Sequence, residues 1–187
     1  MQKIRAVAGV LIVAGLAAST AHGADKNMKA CTYLTSAEAG AAAGGAVGQP
    51  QESNTVITEG PSKGQTMGMC TWDAGSKGSI AVTVVPVPAG AWREAFLAQL
   101  NNQKWFEPLK AQGWTSQTRN VGDSMCLLIT PPPSQKDVPR ELLHAAASTS
   151  CYGASKGTGV GVAINGAPNV ALEKVKALLD KAVSRVP

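Results

Sequence analysis

Hydrophobic residues alternate with polar or small residues along several stretches of the chain, and this period of two predicts β-strands. In residues 79–85, for example, Ile80, Val82 and Val84 share one face of the predicted strand. Residues 67–72 and 79–85 predict a first hairpin, and residues 151–152 and 160–164 a second. The other predicted strands are 114–121 and 124–130, joined by a tight turn, and a short strand at 55–58.

A hydrophobic period near 3.6 residues predicts helices between the strands. The first helix begins with a capping box, in which Thr35 and Glu38 exchange hydrogen bonds, and it ends at Gly44-Gly45. The last helix covers residues 169–185, with Asn169 as its predicted N-cap. Its predicted buried residues are Ala171, Val175, Leu178, Leu179 and Ala182. With a helix over residues 90–102 and a helical turn within 105–112, the pattern predicts an α+β domain whose helices pack on an antiparallel sheet.

The two predicted hairpins are similar in sequence. Cys70-Thr71-Trp72 precedes a Ser-Lys-Gly turn and an alternating strand, and Cys151-Tyr152 does the same. A helix is predicted after each hairpin. Duplication of a hairpin–helix unit would explain the similarity, and chance convergence of turns rich in Gly and Lys would explain it equally well.

The N-terminal segment has the pattern of a secretory signal peptide. Lys3 and Arg5 precede the apolar residues 6–19, and small residues suited to cleavage follow, so cleavage is expected after Ala21 or Gly23. An uncleaved membrane anchor is the alternative, but an apolar stretch of about 14 residues is shorter than the ~20 that span a bilayer. We therefore expect a signal peptide over 1–23 and a single domain over 24–187, in the periplasm or secreted, without a stable membrane anchor after cleavage.

The charge of the chain gives little indication of a polyanionic partner. Removing Lys3 and Arg5 from a chain with 17 basic and 12 acidic residues leaves a small positive charge. The lysines are scattered, and aromatic residues make up only 4% of the chain. We therefore expect no nucleic-acid binding.

Four cysteines follow the signal peptide, and they are Cys31, Cys70, Cys126 and Cys151. An even number in an exported chain predicts two disulfides, and none of the spacings is the Cys-x-x-Cys of a redox pair or zinc site. Three pairings are possible. The layout of the elements favours Cys31 with Cys70 and Cys126 with Cys151, because each bridge then stays within one half of the chain. Cys31 follows polar residues, so it lacks the context of a lipidated cysteine.

The motif Cys31-x-Tyr33-Leu34-Thr35-x-x-Glu38, followed by Cys70-Thr71-Trp72 and Val121-Gly122-Asp123, resembles a broad group of small bacterial exported proteins and lipoproteins of unknown function. The resemblance implies an α+β fold similar to the PsbP-like lipoproteins, and it also implies the pairing of Cys31 with Cys70. It implies no catalytic residue, because none is established for the group. This chain departs from the group in lacking a lipobox, in having Tyr33 where Leu is usual, and in the additional Cys126 and Cys151.

Residues with catalytic or metal-binding chemistry are sparse. His144 is the one histidine certain to follow the cleavage site, and the chain lacks the His-Glu-x-x-His motif. The Ser-Lys-Gly triplets at 62–64, 76–78 and 155–157 are typical of turns. Met67 and Met69 beside Cys70 suit Cu(I), but methionine also fills gaps in cores. We assign no catalytic, cofactor-binding or metal residue.

The sequence therefore predicts a non-enzymatic periplasmic binding or accessory protein that contacts an envelope protein or a small ligand. Two other functions are open: an inhibitor or immunity-type protein acting on a secreted enzyme, and an envelope hydrolase that uses His144. The proline-rich residues 131–141 are either an ordinary stiff loop or a protrusion that binds a partner.

Overall fold

The computed structural model describes residues 28–58, 63–87, 92–101, 106–134, 138, 142–143, 146–167 and 170–187. Within them, seven strands form one antiparallel sheet in the order β1-β2-β3-β7-β6-β5-β4. The strands are β1 Gln51–Val56, β2 Thr66–Asp73, β3 Ser79–Pro86, β4 Thr115–Val121, β5 Ser124–Thr130, β6 Ser148–Ser155 and β7 Thr158–Asn165. The helices are α1 Ser36–Ala43, α2 Trp92–Asn101, α3 Glu107–Lys110 and α4 Leu172–Ser184, with short 3-10 helices at Ala30–Thr32 and Gly75–Lys77. The predicted antiparallel sheet and helices are confirmed, with the sheet as the dominant element.

The two faces of the sheet carry separate hydrophobic clusters. The first, here called the α4 face, is covered by α1 and α4, whose apolar side chains contact residues such as Trp72, Val82 and Val162. The opposite face, called the α2 face, packs Val85 and Tyr152 against Phe96 of α2 and against Trp114. Consecutive strand residues point to opposite faces, so β2, β3, β5 and β6 contribute to both clusters.

The two hairpins occupy equivalent places on either side of the β3–β7 pair. Val82 lies opposite Val162, Cys70 lies opposite Val82, and Cys151 lies opposite Val162. The equivalence ends there, because α2 lies on one face and α4 on the other. Within the hairpins, Trp72 corresponds to Gly153, since Trp72 pairs with Ile80 and Gly153 with Val160. Duplication of the unit stays a prediction.

Both disulfides have the pairing predicted from the element layout. Cys31 bonds to Cys70 with an S–S distance of 2.07 Å, and Cys126 to Cys151 with 2.03 Å. Cys126 and Cys151 are directly opposite on neighbouring strands β5 and β6, with Cα atoms 4.0 Å apart. None of the described helices is long and apolar enough to cross a membrane. The predicted signal peptide, residues 1–23, lies outside the described residues.

Several predicted boundaries and positions need correction. The first strand covers Gln51–Val56 rather than residues 55–58. The prediction missed its start because the polar residues of this strand show no hydrophobic alternation. Asn169 lies outside the described residues, and Ala171 occupies the N-cap of α4 with φ −58° and ψ 131°. Ala171 is therefore exposed instead of buried, whereas the other predicted core residues of α4, Val175, Leu178, Leu179 and Ala182, are buried.

Gly78 is required where β3 begins to pair with β7. It has a positive φ of 94°, and a Cβ on it would overlap the carbonyl oxygen of Asn165. Gly75 in the same turn has φ 60°, but a Cβ there would have no heavy atom within 4 Å.

We expect Gly78→Ala to lower the free energy of unfolding by about 3 kcal/mol or more, because it combines strain with a clash at the central strand pair. Gly75→Ala is the matched control and should cost about 1–2 kcal/mol, the strain of the left-handed conformation alone. Urea unfolding of both variants measures the difference. Equal losses would contradict the close approach of Gly78 to β7.

Candidate functional site

Two candidates from the sequence fall largely outside the described residues. His144, the residue on which the hydrolase hypothesis depends, is one of them. Of the proline-rich residues 131–141, those at 135–137 and 139–141 also lie outside. Among the residues that the structure describes, no three His, Cys, Asp or Glu side chains are close enough together to hold a metal ion. The hydrolase hypothesis that uses His144 therefore stays a prediction.

The methionine pair belongs to the sheet and its hydrophobic packing. Met67 and Met69 lie on the same face of β2, and Met67 is buried in the cluster of the α2 face. Met125 belongs to the same cluster but lies on β5, four strands away, which is about 19 Å across the sheet. The arrangement of Met67 favours the interpretation that it fills the core.

The lysines of two Ser-Lys-Gly turns contact the ends of helices. Lys77 Nζ donates to the carbonyl oxygen of Gly44 at the end of α1, at 2.5 Å. Lys156 Nζ donates to the carbonyl oxygen of Val186, just after α4, at 3.3 Å. A cation is favourable at a helix C-terminus, where carbonyl groups are unpaired. These lysines therefore have a structural role that the turn pattern alone did not predict.

A fully paired charge cluster joins the start of α1 to the end of α4. Both Nη atoms of Arg185 donate to the Glu38 carboxylate, at 2.7 and 2.8 Å, and Nη1 also donates to the carbonyl oxygen of Tyr33. The backbone N–H of Thr35 donates to the Glu38 carboxylate, completing the predicted capping box. Lys181 Nζ lies 3.8 Å from Glu38 Oε1. The hydrogen bonds from Arg185, with smaller contributions from Thr35, lower the pKa of Glu38 to about 2. Because every member has a partner, this cluster is a clamp between termini rather than a ligand site.

A narrow cleft lies between α2 and the sheet. It is lined by Val85, Phe96 and Tyr152 with Gly159 and Gly161 of β7, among other residues. The Tyr152 ring is 4.2 Å from that of Phe96 and lies over Gly161, where a Cβ would come within 2.7 Å of the ring. Burial raises the pKa of Tyr152. The cavity measures only about 20 Å³, which is room for roughly one water.

A wider hollow of about 530 Å³ runs along α1 and is open to solvent. Its walls are small residues, from Ser36 to Val47. Among the described residues that line it, none has a charged side chain, and the hydroxyl of Ser36 already accepts a hydrogen bond from Trp72 Nε1 at 3.1 Å.

An accessible part of the sheet interior lies on the α2 face, next to β1. Here the residues Met69, Thr71, Ala81, Thr83 and Ala163 are only partly buried, and we call them the open strip. In the described part of the chain, α2 covers the neighbouring Val85 and Tyr152 but leaves this strip accessible.

Strand β1 borders the open strip and is exposed at all six residues. Contacts on the α4 face hold it in place. The backbone N–H of Cys31 donates to Glu52 Oε1 at 3.1 Å, and that of Met28 to Asn54 Oδ1 at 2.9 Å. The disulfide from Cys31 to Cys70 fixes this N-terminal segment over β2. Sequence patterns did not reveal this surface, because β1 is polar on both faces and lacks a hydrophobic period.

Comparison with models of known protein families, with curated proteins and with solved structures found no match to this chain. The resemblance to exported proteins and lipoproteins therefore stays a prediction.

We expect Glu38→Gln to lower the free energy of unfolding by about 1–3 kcal/mol at neutral pH, because a charge-assisted pair with Arg185 is lost. The folded-state pKa of Glu38, about 2, lies below the value of ~4.3 for an unfolded chain. The ion pair therefore stabilises the fold above the unfolded pKa, and this contribution disappears as pH falls toward the folded value.

Thermal unfolding between pH 7 and pH 2 tests this dependence. The gap between the wild type and Glu38→Gln should close on acidification, while Glu173→Gln, an exposed change in the first turn of α4, should stay within about 1 kcal/mol of the wild type throughout. A gap that persists unchanged at the acid end would contradict the ionic origin of the clamp.

Proposed function

We propose that this chain is a non-enzymatic binding or accessory protein of the bacterial envelope, in the periplasm or secreted, and that it binds another protein. The two disulfides support a location outside the reducing cytoplasm. The signal-peptide pattern of residues 1–23 supports export.

The observation that carries the proposal is the accessible part of the sheet, the open strip together with β1. Pockets for small molecules usually enclose about 300–1,000 Å³. The cleft beneath α2 encloses about 20 Å³, so the adjoining open surface is better suited to a broad partner than to a small ligand.

The chemistry of the open strip also fits a protein partner. Its residues are uncharged, and the centres of protein interfaces are depleted in charged residues. Thr71 and Thr83 provide hydroxyl groups for hydrogen bonds, and Met69 provides an adaptable apolar contact. Ala81 and Ala163 leave the backbone of the central strands close to the surface.

We expect a photo-cross-linking residue, p-benzoylphenylalanine, at Thr71 to form a discrete adduct with an envelope protein. The matched control carries the same residue at Glu173, exposed on the opposite side of the sheet, and should form none. The measurement is irradiation of each folded variant in envelope extract, followed by electrophoresis and mass spectrometry. Absence of an adduct at Thr71, or equal labelling from both positions, would contradict the assignment of this face.

A further inference from the structure

The hydrogen-bond alternation along β1 shows which of its backbone groups face outward. The N–H of Ile57 donates to the carbonyl oxygen of Gln65 at 2.9 Å, one pair beyond the β1–β2 register. In an antiparallel pair, hydrogen-bonded and non-hydrogen-bonded positions alternate. Glu52, Asn54 and Val56 are therefore the residues whose N–H and C=O groups point away from β2.

These outward groups form an open sheet edge. In the part of the chain that the structure describes, none of the three residues has a backbone partner on that side. Natural edge strands are commonly protected by lysine, proline or a bulge. The sequence of β1 has neither residue, and its register with β2 runs unbroken over six pairs. Val56, with 57% of its surface exposed, is the most exposed large hydrophobic residue described.

The other edge of the sheet differs from β1. Strand β4 carries the exposed Arg119, a charge of the kind that discourages edge pairing, whereas the one charged residue of β1, Glu52, accepts a hydrogen bond from the backbone N–H of Cys31. Strand β1 is also held by the N-terminal segment through Glu52 and Asn54, so its edge is preformed. A preformed surface loses less conformational entropy on binding.

We propose that β1 receives an extended segment of a partner protein as an eighth strand. Main-chain hydrogen bonds to Glu52, Asn54 and Val56 would hold the segment, and its alternate side chains would extend the surface of the open strip. This inference rests on the proposed function and specifies how the partner is bound.

The dimensions of the edge favour a peptide segment over a second copy of this chain. Six residues make an edge about 20 Å long, at roughly 3.4 Å each. A stable interface between folded proteins takes about 20–30 residues a side, which a pair of six-residue strands does not approach. An extended segment, in contrast, needs only an edge of this length.

The experiment begins with p-benzoylphenylalanine at Val56 in the exported chain, irradiated in envelope extract. The cross-linked partner segment is identified by mass spectrometry and synthesised as a peptide. Amide hydrogen exchange of the protein with and without this peptide is then followed by NMR. We expect exchange at Glu52, Asn54 and Val56 to slow by about tenfold or more, because these amides gain main-chain partners.

Matched variants separate the backbone from the side chain. Val56→Pro removes an outward N–H without removing a β1–β2 hydrogen bond, and it should weaken peptide binding by about tenfold or more. Val56→Thr keeps that N–H, and Thr118→Pro removes an N–H that faces outward on β4 by the same alternation. Both should bind within about twofold of the wild type.

The alternative outcomes overturn the proposal in distinct ways. A second copy of this chain as the adduct, protection on β4 instead of β1, or peptide binding without protection of the three amides would each overturn strand addition. An adduct from Thr71 with none from Val56 would overturn it and leave the proposed function standing. No adduct from either position would contradict both.

Discussion

The antiparallel pairing of β3 with β7 is the interaction on which the rest of the structure depends. These two strands pair from Ser79 to Pro86 and join the halves of the chain at the centre of the sheet. Their side chains on the α4 face, including Val82 and Val162, are almost fully buried. Because a shift of one residue would turn every side chain of a strand to the other face, this register determines which residues of β3 and β7 face α4 and which face α2.

The disulfides secure the periphery to this centre. Cys70 and Cys151 lie in the same cross-strand row as Val82 and Val162, one strand out on either side. Three strand spacings, about 14 Å, separate them, which is too far for a bond between them. Each therefore bonds outward, Cys70 to the N-terminal segment and Cys151 to β5. The disulfide between Cys31 and Cys70 also positions the N-terminal contacts that hold β1. The position of this edge strand therefore depends on that disulfide.

Local patterns predicted the elements that local chemistry determines. The capping box at Thr35 and Glu38, the glycine at the end of α1 and both hairpins follow from neighbouring residues. Strand β1 was placed wrongly because its stability comes from pairing with β2 rather than from burial of its own side chains. The similar sequences of the two hairpins did not show that Trp72 and Tyr152 lie on opposite faces, because a shift of one residue turns a side chain to the other face. The Glu38–Arg185 contact joins residues 147 positions apart, and no local pattern carries that information.

An oxidised, centrally paired sheet holds the edge at which we propose binding. The disulfide pairing of this sheet is tested most directly by peptide mapping of the purified, folded protein under non-reducing conditions, with free thiols blocked beforehand. We expect two cross-linked peptide pairs, one containing Cys31 and Cys70 and the other Cys126 and Cys151. A peptide joining Cys70 to Cys151, or a free thiol at any of the four positions, would contradict this pairing.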